Sequence, residues 1–147
     1  MDCNLPLNER EMANRMIELY SHFNIKIEAL LGVLSGPRVT RFEFQVVPET
    51  KISKITKLRD DISLLLSVPK VRLICPIPGK TAFGIEVPNG TDRTVTFDEV
   101  FTSDAFAGSS DKLCVVLGKN LSNDSVCLEL SKAPHILIGG QAYSGKT

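Results

Sequence analysis

Apolar residues recur along the first half of the chain with two different periods, and the change of period marks the elements. In LNEREMANRMIELYSHF, Met12, Met16, Leu19, Tyr20 and Phe23 fall at i, i+4, i+7, i+8 and i+11, which is one face of an amphipathic helix. Asn8 is placed to cap that helix, with Glu11 three residues on as its reciprocal partner. A methionine and aromatic stripe at this spacing reads as core filling. Beyond Asn24 the period drops to two. Ile25, Ile27, Ala29, Leu31 and Val33 alternate as a half-buried strand would, and Ser35-Gly36-Pro37 supplies a turn. RVTRFEFQVV alternates again, with Phe42, Phe44 and Val46 on one side and Arg41, Glu43 and Gln45 on the other. That pattern predicts an antiparallel pair with one wet face.

The helical period returns in SKITKLRDDISLLLS, with Ser53 as the cap and Ile55, Leu58, Ile62, Leu65 and Leu66 on one side. Lys54, Lys57 and Arg59 occupy its polar positions. Charge there reads first as a solvated face, with DNA contact the sharper alternative. VRLICPI and TAFGIEV then predict a second strand pair, in which Phe83, Ile85 and Val87 share a face. Helix, strand pair, helix, strand pair is an α+β order: a small antiparallel or mixed sheet packed with two helices. TVTFDEVFTSDAF predicts a short strand running into a helical turn, and GSSD at 108–111 is the best linker candidate. LCVVLGKN and SVCLEL flank the turn residues Leu121-Ser122-Asn123-Asp124 as a hairpin, and HILIGG is a short apolar run entering a glycine-rich end.

Composition narrows this only a little. The chain has 147 residues, 43% of them hydrophobic, and formal net charge zero, so any basic surface must be local rather than global. Cys3, Cys75, Cys114 and Cys127 lack Cys-x-x-Cys spacing and, with only His22 and His135, make no zinc signature. Reduced thiols in a cytoplasmic protein are the expectation. No apolar run approaches the roughly 20 residues of a membrane span, and Met1-Asp2 leads into a polar stretch unlike a signal peptide.

The candidate chemistry lies at the carboxy end. Residues 140–147 satisfy Gly-x-x-x-x-Gly-Lys-Thr, a phosphate-binding loop in which successive backbone N–H groups wrap an anion. Gly140, Gln141, Ala142, Tyr143, Ser144, Gly145, Lys146 and Thr147 are the predicted nucleotide-binding residues. Lys146 would neutralise the β- and γ-phosphates, and the Thr147 hydroxyl would hold Mg²⁺. Ile136-Leu137-Ile138 is expected to be the buried strand that precedes such a loop. Gly79-Lys80-Thr81 is a decoy: Ile74 stands where the first glycine belongs, and Pro76 and Pro78 offer no donors, so a turn is expected.

GPRVTRFEF, SVPKVRL, PIPGKTAFGIEVPN, the LG…LEL segment and APHILIGG, in that order, resemble the FtsK/SpoIIIE family of bacterial DNA translocases. The resemblance runs over almost the whole chain and is weakest in the first 20 residues and in 90–112. It implies a hexameric ring that uses ATP and Mg²⁺ to pump double-stranded DNA in chromosome segregation at division or sporulation. Residues 1–112 would then be the α domain, and 113–147 the first strands of a RecA-like β domain cut after the phosphate loop. The parent is expected in the cytoplasm, with a possible inner-membrane anchor elsewhere in its sequence.

By the same resemblance, Gly140, Gly145, Lys146 and Thr147 match the family's nucleotide positions, and Pro134-His135 matches a pair leading into the preceding strand, with His135 read as structural. Tyr143 departs from the glycine usual in the family. If its place demands positive φ, tyrosine strains the loop by about 1–2 kcal/mol. The Walker B acid, a partner subunit's arginine and the DNA-reading γ module are not identifiable in these residues. The chain by itself is therefore expected to hydrolyse no ATP and to be monomeric or weakly associating. Two rival readings stay open: a non-catalytic ring-assembly module with a vestigial loop, and another P-loop motor such as a conjugative coupling ATPase.

Overall fold

The computed structural model describes residues 7–91, 93–110 and 112–143. They form two compact units, one comprising Met1–Thr94 with Asn120–Asp124, the other Val95–Lys119 with Ser125–Thr147.

The first unit holds helix α1 (Leu7–His22), strands β1 (Ile27–Ser35) and β2 (Val39–Val46), helices α2 (Ile52–Lys57) and α3 (Arg59–Leu65), and strands β3 (Arg72–Ile74) and β4 (Phe83–Pro88). The strands make one antiparallel sheet in the order β1-β2-β4-β3. This is the α+β architecture that the alternating periods predict. Phe42 lies opposite Val33 and Ile85, and Phe44 opposite Leu30 and Phe83, so the inward side chains of three strands meet in rows. Tyr20 of α1 meets Phe83 edge-on at 5.4 Å between centroids, and Phe44 lies 5.6 Å from the same ring. Met16, Ile55, Ile62 and Val71 complete a water-free core around these aromatics. Offset and edge-on ring pairs add about 0.5–1.5 kcal/mol each to the apolar burial.

Four local expectations for this unit are corrected. Asn8 lies inside α1 rather than at its cap, and Glu11 instead pairs with Arg15 one turn on, at 2.7 Å. Phe23 is half exposed because α1 ends at His22, so the apolar stripe outruns its helix. In β1, simple alternation fails: register shifts between Ile27 and Ala29 and between Leu30 and Gly32 each insert a residue, so Ile27, Leu30 and Val33 pack on the core while Leu31 turns out. The second helical stretch is two helices, broken at Leu58, with Ser53 inside α2 and Lys51 at its cap. The break keeps Ile55, Leu58 and Ile62 all buried on one side.

The second unit holds short helices α4 (Phe97–Phe101) and α5 (Asp104–Ala107), the hairpin β5 (Cys114–Lys119) and β6 (Ser125–Glu129), and a 3-10 turn at Leu130–Lys132. The hairpin is the one predicted from its turn residues. The strand expected in TVTF is absent among the described residues. Thr96 caps α4 instead, its hydroxyl accepting from the Glu99 N–H.

Candidate functional site

Two places carry the sequence motifs. The first is the glycine-rich end. Gly139–Gln141 have no regular structure, and Ala142-Tyr143 is a turn. All five are exposed, so an anion can reach this stretch of backbone, as a phosphate loop requires. Tyr143 has φ of 62°, the left-handed region in which a residue with a Cβ is strained. The condition set from the sequence is met at that residue. Ser144, Gly145, Lys146 and Thr147 lie outside the described residues.

The expected strand at Ile136–Ile138 does not form. The three residues have no regular structure, and Leu137 is 96% exposed. A run apolar on both faces becomes a strand only between partner strands, and among the described residues β5 and β6 pair only with each other. Pro134 and His135 are likewise exposed. The decoy at Gly79-Lys80-Thr81 is a turn, with Gly79 at φ of 76°.

The second place is the outward face of the four-stranded sheet, which the sequence reading took as simply wet. Arg41, Glu86 and Arg72 lie directly opposite one another across β2, β4 and β3, one residue from each of three motif stretches. The Arg41 guanidinium donates to Glu86 Oε1 from Nε at 3.1 Å and from Nη2 at 2.5 Å, and Arg72 Nη1 stands 3.6 Å from Oε2. In the next row Lys80 Nζ donates to Glu43 Oε2 at 2.5 Å. Glu43 and Glu86 are both buried. A buried carboxylate is tolerable only when paired and hydrogen-bonded, and here every one has a cation. The missed signal was the placement of opposite charges on the same face of three neighbouring strands.

The two proline-flanked turns are tied together as well. Asn89 Nδ2 donates to the Gly36 carbonyl at 2.9 Å, Asn89 Oδ1 accepts from the Thr40 hydroxyl at 2.8 Å, and the Asn89 N–H donates to the Arg38 carbonyl at 2.9 Å. The motif residues Gly36, Thr40 and Asn89 are thus one structural latch.

Among the described residues no group of three or more His, Cys, Asp or Glu could hold a metal ion, and no helix is long and apolar enough to cross a membrane. Cys75, Cys114 and Cys127 are free and half-buried. Burial pushes the Cys75 thiol up, and burial followed by the neighbouring Cys114 does the same to Cys127.

Comparison with known proteins follows the motifs. The DNA translocase FtsK of Treponema pallidum is 39% identical over 138 residues, which is 94% of this chain and 17% of that protein. The DNA translocase SftA of Bacillus subtilis is 44% identical over 126 residues, 86% of this chain and 13% of that protein. The chain thus spans less than a fifth of these relatives. A solved structure of the pCW3 conjugation coupling protein TcpA, with ATPγS, aligns over 92% of this chain and 38% of its own at 16% identity and a TM-score of 0.39, a likeness too slight to bear on fold or function. Residues 4–89 match the family described as FtsK alpha domain. Because that match takes in more than half of the chain, and every motif stretch within it packs into one self-contained unit, the protein belongs to the FtsK family.

Proposed function

We propose that this chain is part of an ATP-dependent translocase of double-stranded DNA that acts in chromosome segregation. The observation that carries the reading is the family match over residues 4–89, extended by relatives named DNA translocases at about 40% identity across most of the chain. The strand expected at Ile136–Ile138 contributes nothing to it. In this reading residues 1–112 are the α domain and 113–147 open the motor domain. The compact units part instead at Thr94–Val95, and limited proteolysis distinguishes the two boundaries.

The loop at Gly140–Thr147 holds ATP, with backbone N–H groups on the phosphates, Lys146 on the β- and γ-phosphates and Thr147 on Mg²⁺. The exposed, glycine-bearing stretch Gly139–Tyr143 fits that role. What the bound nucleotide supplies is the free energy of phosphoryl transfer; what these residues supply is its grip and orientation. Assembly into a hexameric ring belongs to the same proposal, and this chain alone is expected to hydrolyse no ATP.

The test uses the full-length protein that contains this chain. DNA-stimulated ATP hydrolysis is expected, and Lys146→Ala should abolish it. Full-length protein without DNA-stimulated turnover, or turnover indifferent to Lys146→Ala, overturns the reading. The rival reading, an assembly module with a vestigial loop, draws support from Tyr143 in the left-handed region. It predicts ring formation by sedimentation with no nucleotide binding at all.

A further inference from the structure

The chain is neutral overall, yet its charge is not evenly spread. Residues 50–72 hold Lys51, Lys54, Lys57, Arg59, Lys70 and Arg72 against only Asp60 and Asp61. Three of those cations converge. Arg59 of α3, Lys70, and Arg72 of the edge strand β3 line a single cleft of about 690 Å³, together with Thr56 and the carboxylate of Glu86. Glu86 is already engaged by Arg41 and is buried, so it takes little from the cleft's positive potential.

Each cation is presented differently, and all three remain accessible. Arg72 keeps one hand on Glu86 while its side chain is 78% exposed. Among the described residues Arg59 pairs only with the surface Asp60, at 3.2 Å. Lys70 makes no ion pair among the described residues and is exposed. Their backbone is nonetheless held firmly. Val71, between the two β3-side cations, is buried, and its N–H donates to the Ser63 hydroxyl of α3 at 3.1 Å. Lys70 and Arg72, on either side of this buried residue, are both exposed and both line the cleft. The cleft therefore gathers cations from α3, from β3 and from the anchored segment before it, with hydroxyl and short apolar lining and no aromatic anchor for a peptide side chain.

We propose that this cleft is a sequence-independent contact for the phosphate backbone of duplex DNA. The proposal rests on the translocase reading for the identity of the polyanion, and on the cleft itself for where it is gripped. Cations spaced along one groove suit a strand of regularly spaced phosphates, and arginine forks bind phosphate oxygens in pairs. The expected contact is weak and steep in salt, since each neutralised phosphate adds about 0.9 to the log–log salt slope and three cations give a slope of about −2 to −3.

The experiment titrates a fluorescently labelled 20-base-pair duplex of arbitrary sequence with the 147-residue chain, by anisotropy, at NaCl concentrations from about 25 to 200 mM. The Arg59→Ala/Lys70→Ala double variant spares the Arg72–Glu86 pair and changes only exposed side chains. It should lose about tenfold or more in affinity at low salt and about two units of slope. Lys26→Ala, an exposed cation outside the cleft, should change neither. Lys70→Glu alone should weaken binding more than Lys70→Ala, which a fold defect would not do while the circular dichroism is unchanged. Absence of duplex binding at the lowest salt, an unchanged slope in the double variant, or tighter binding of a polyglutamate peptide than of the duplex overturns the proposal. The two readings fail separately. A full-length protein that translocates DNA equally well with and without the double substitution sinks the cleft alone. Cleft-dependent duplex binding by a full-length protein with no DNA-stimulated ATPase sinks the motor reading alone.

Discussion

The two compact units differ in how completely they cover their own apolar surface. The first closes a core of Met16, Tyr20, Phe42, Phe44, Phe83 and Ile85, each essentially inaccessible to water. In the second, Val100 is the one buried hydrophobic among the described residues, while Val115 and Leu117 leave one face of β5 open, Leu113 just before it is exposed, and the half-exposed Phe97 and Phe101 stack on each other at 5.2 Å. A four-stranded sheet with helices on one face can hide its inward rows from water, whereas a lone two-stranded hairpin is marginal in water. The difference separates a region whose fold follows from its own residues from one whose apolar faces are unmatched. The motifs of the alpha-domain match lie in the former and the glycine-rich loop in the latter.

The sharpest way to break that comparison is a pair of truncations. Phe83→Ala should lower stability by about 3–5 kcal/mol in urea unfolding, because it opens a cavity between the rings of Tyr20 and Phe44. Val115→Ala should stay within about 0.5 kcal/mol, since little packing is lost. Equal costs would show that the second unit is as tightly packed as the first. Next in size, Glu86→Ala leaves the Arg41 guanidinium without its buried partner and should cost about 1–3 kcal/mol in the same measurement. A neutral result would mean that the charged rows add only to the surface of the first unit.

In the second unit, Tyr143→Gly should relieve about 1–2 kcal/mol of backbone strain. Binding of a fluorescent ATP analogue to the full-length protein should tighten by about five- to thirtyfold. Unchanged affinity would show that φ near 60° at that place carries no cost. The smallest effect concerns Tyr20. Burial, with a smaller contribution from Cys75, pushes its phenol well above the ordinary value near 10. The folded pKa is raised, so the stabilisation is complete below pH 10. It is lost above that at up to about 1.4 kcal/mol per pH unit, as the unfolded phenol ionises while the folded one does not. Tyr20→Phe should flatten the decline in stability between pH 10 and 11 relative to the parent; an identical slope would remove the buried phenol as its cause.

Much of this was legible in the residues. Phe42, Phe44 and Val46 on one side of β2, and Phe83, Ile85 and Val87 on one side of β4, follow from a period of two that any buried sheet face imposes. The β5–β6 hairpin follows from its turn residues. Where reading failed, a non-local partner decided. The bulges of β1 answer to the register of β2. The break at Leu58 answers to the packing of Ile55 and Ile62. At Ile136–Ile138 no neighbouring strand was present among the described residues to turn apolarity into pairing.

Local periodicity and turn chemistry, with the order of the motifs, were enough for the sequence to determine the α+β class, the inward faces of β2 and β4, and the family, because each of these depends on residues close together in the chain. Only the tertiary structure decided that Arg41, Glu86 and Arg72 form one charged row, that Arg59, Lys70 and Arg72 line one cleft, and that Tyr143 sits at positive φ. Strand register and backbone dihedrals bring those groups to their places, and neither is written in the spacing of the residues themselves.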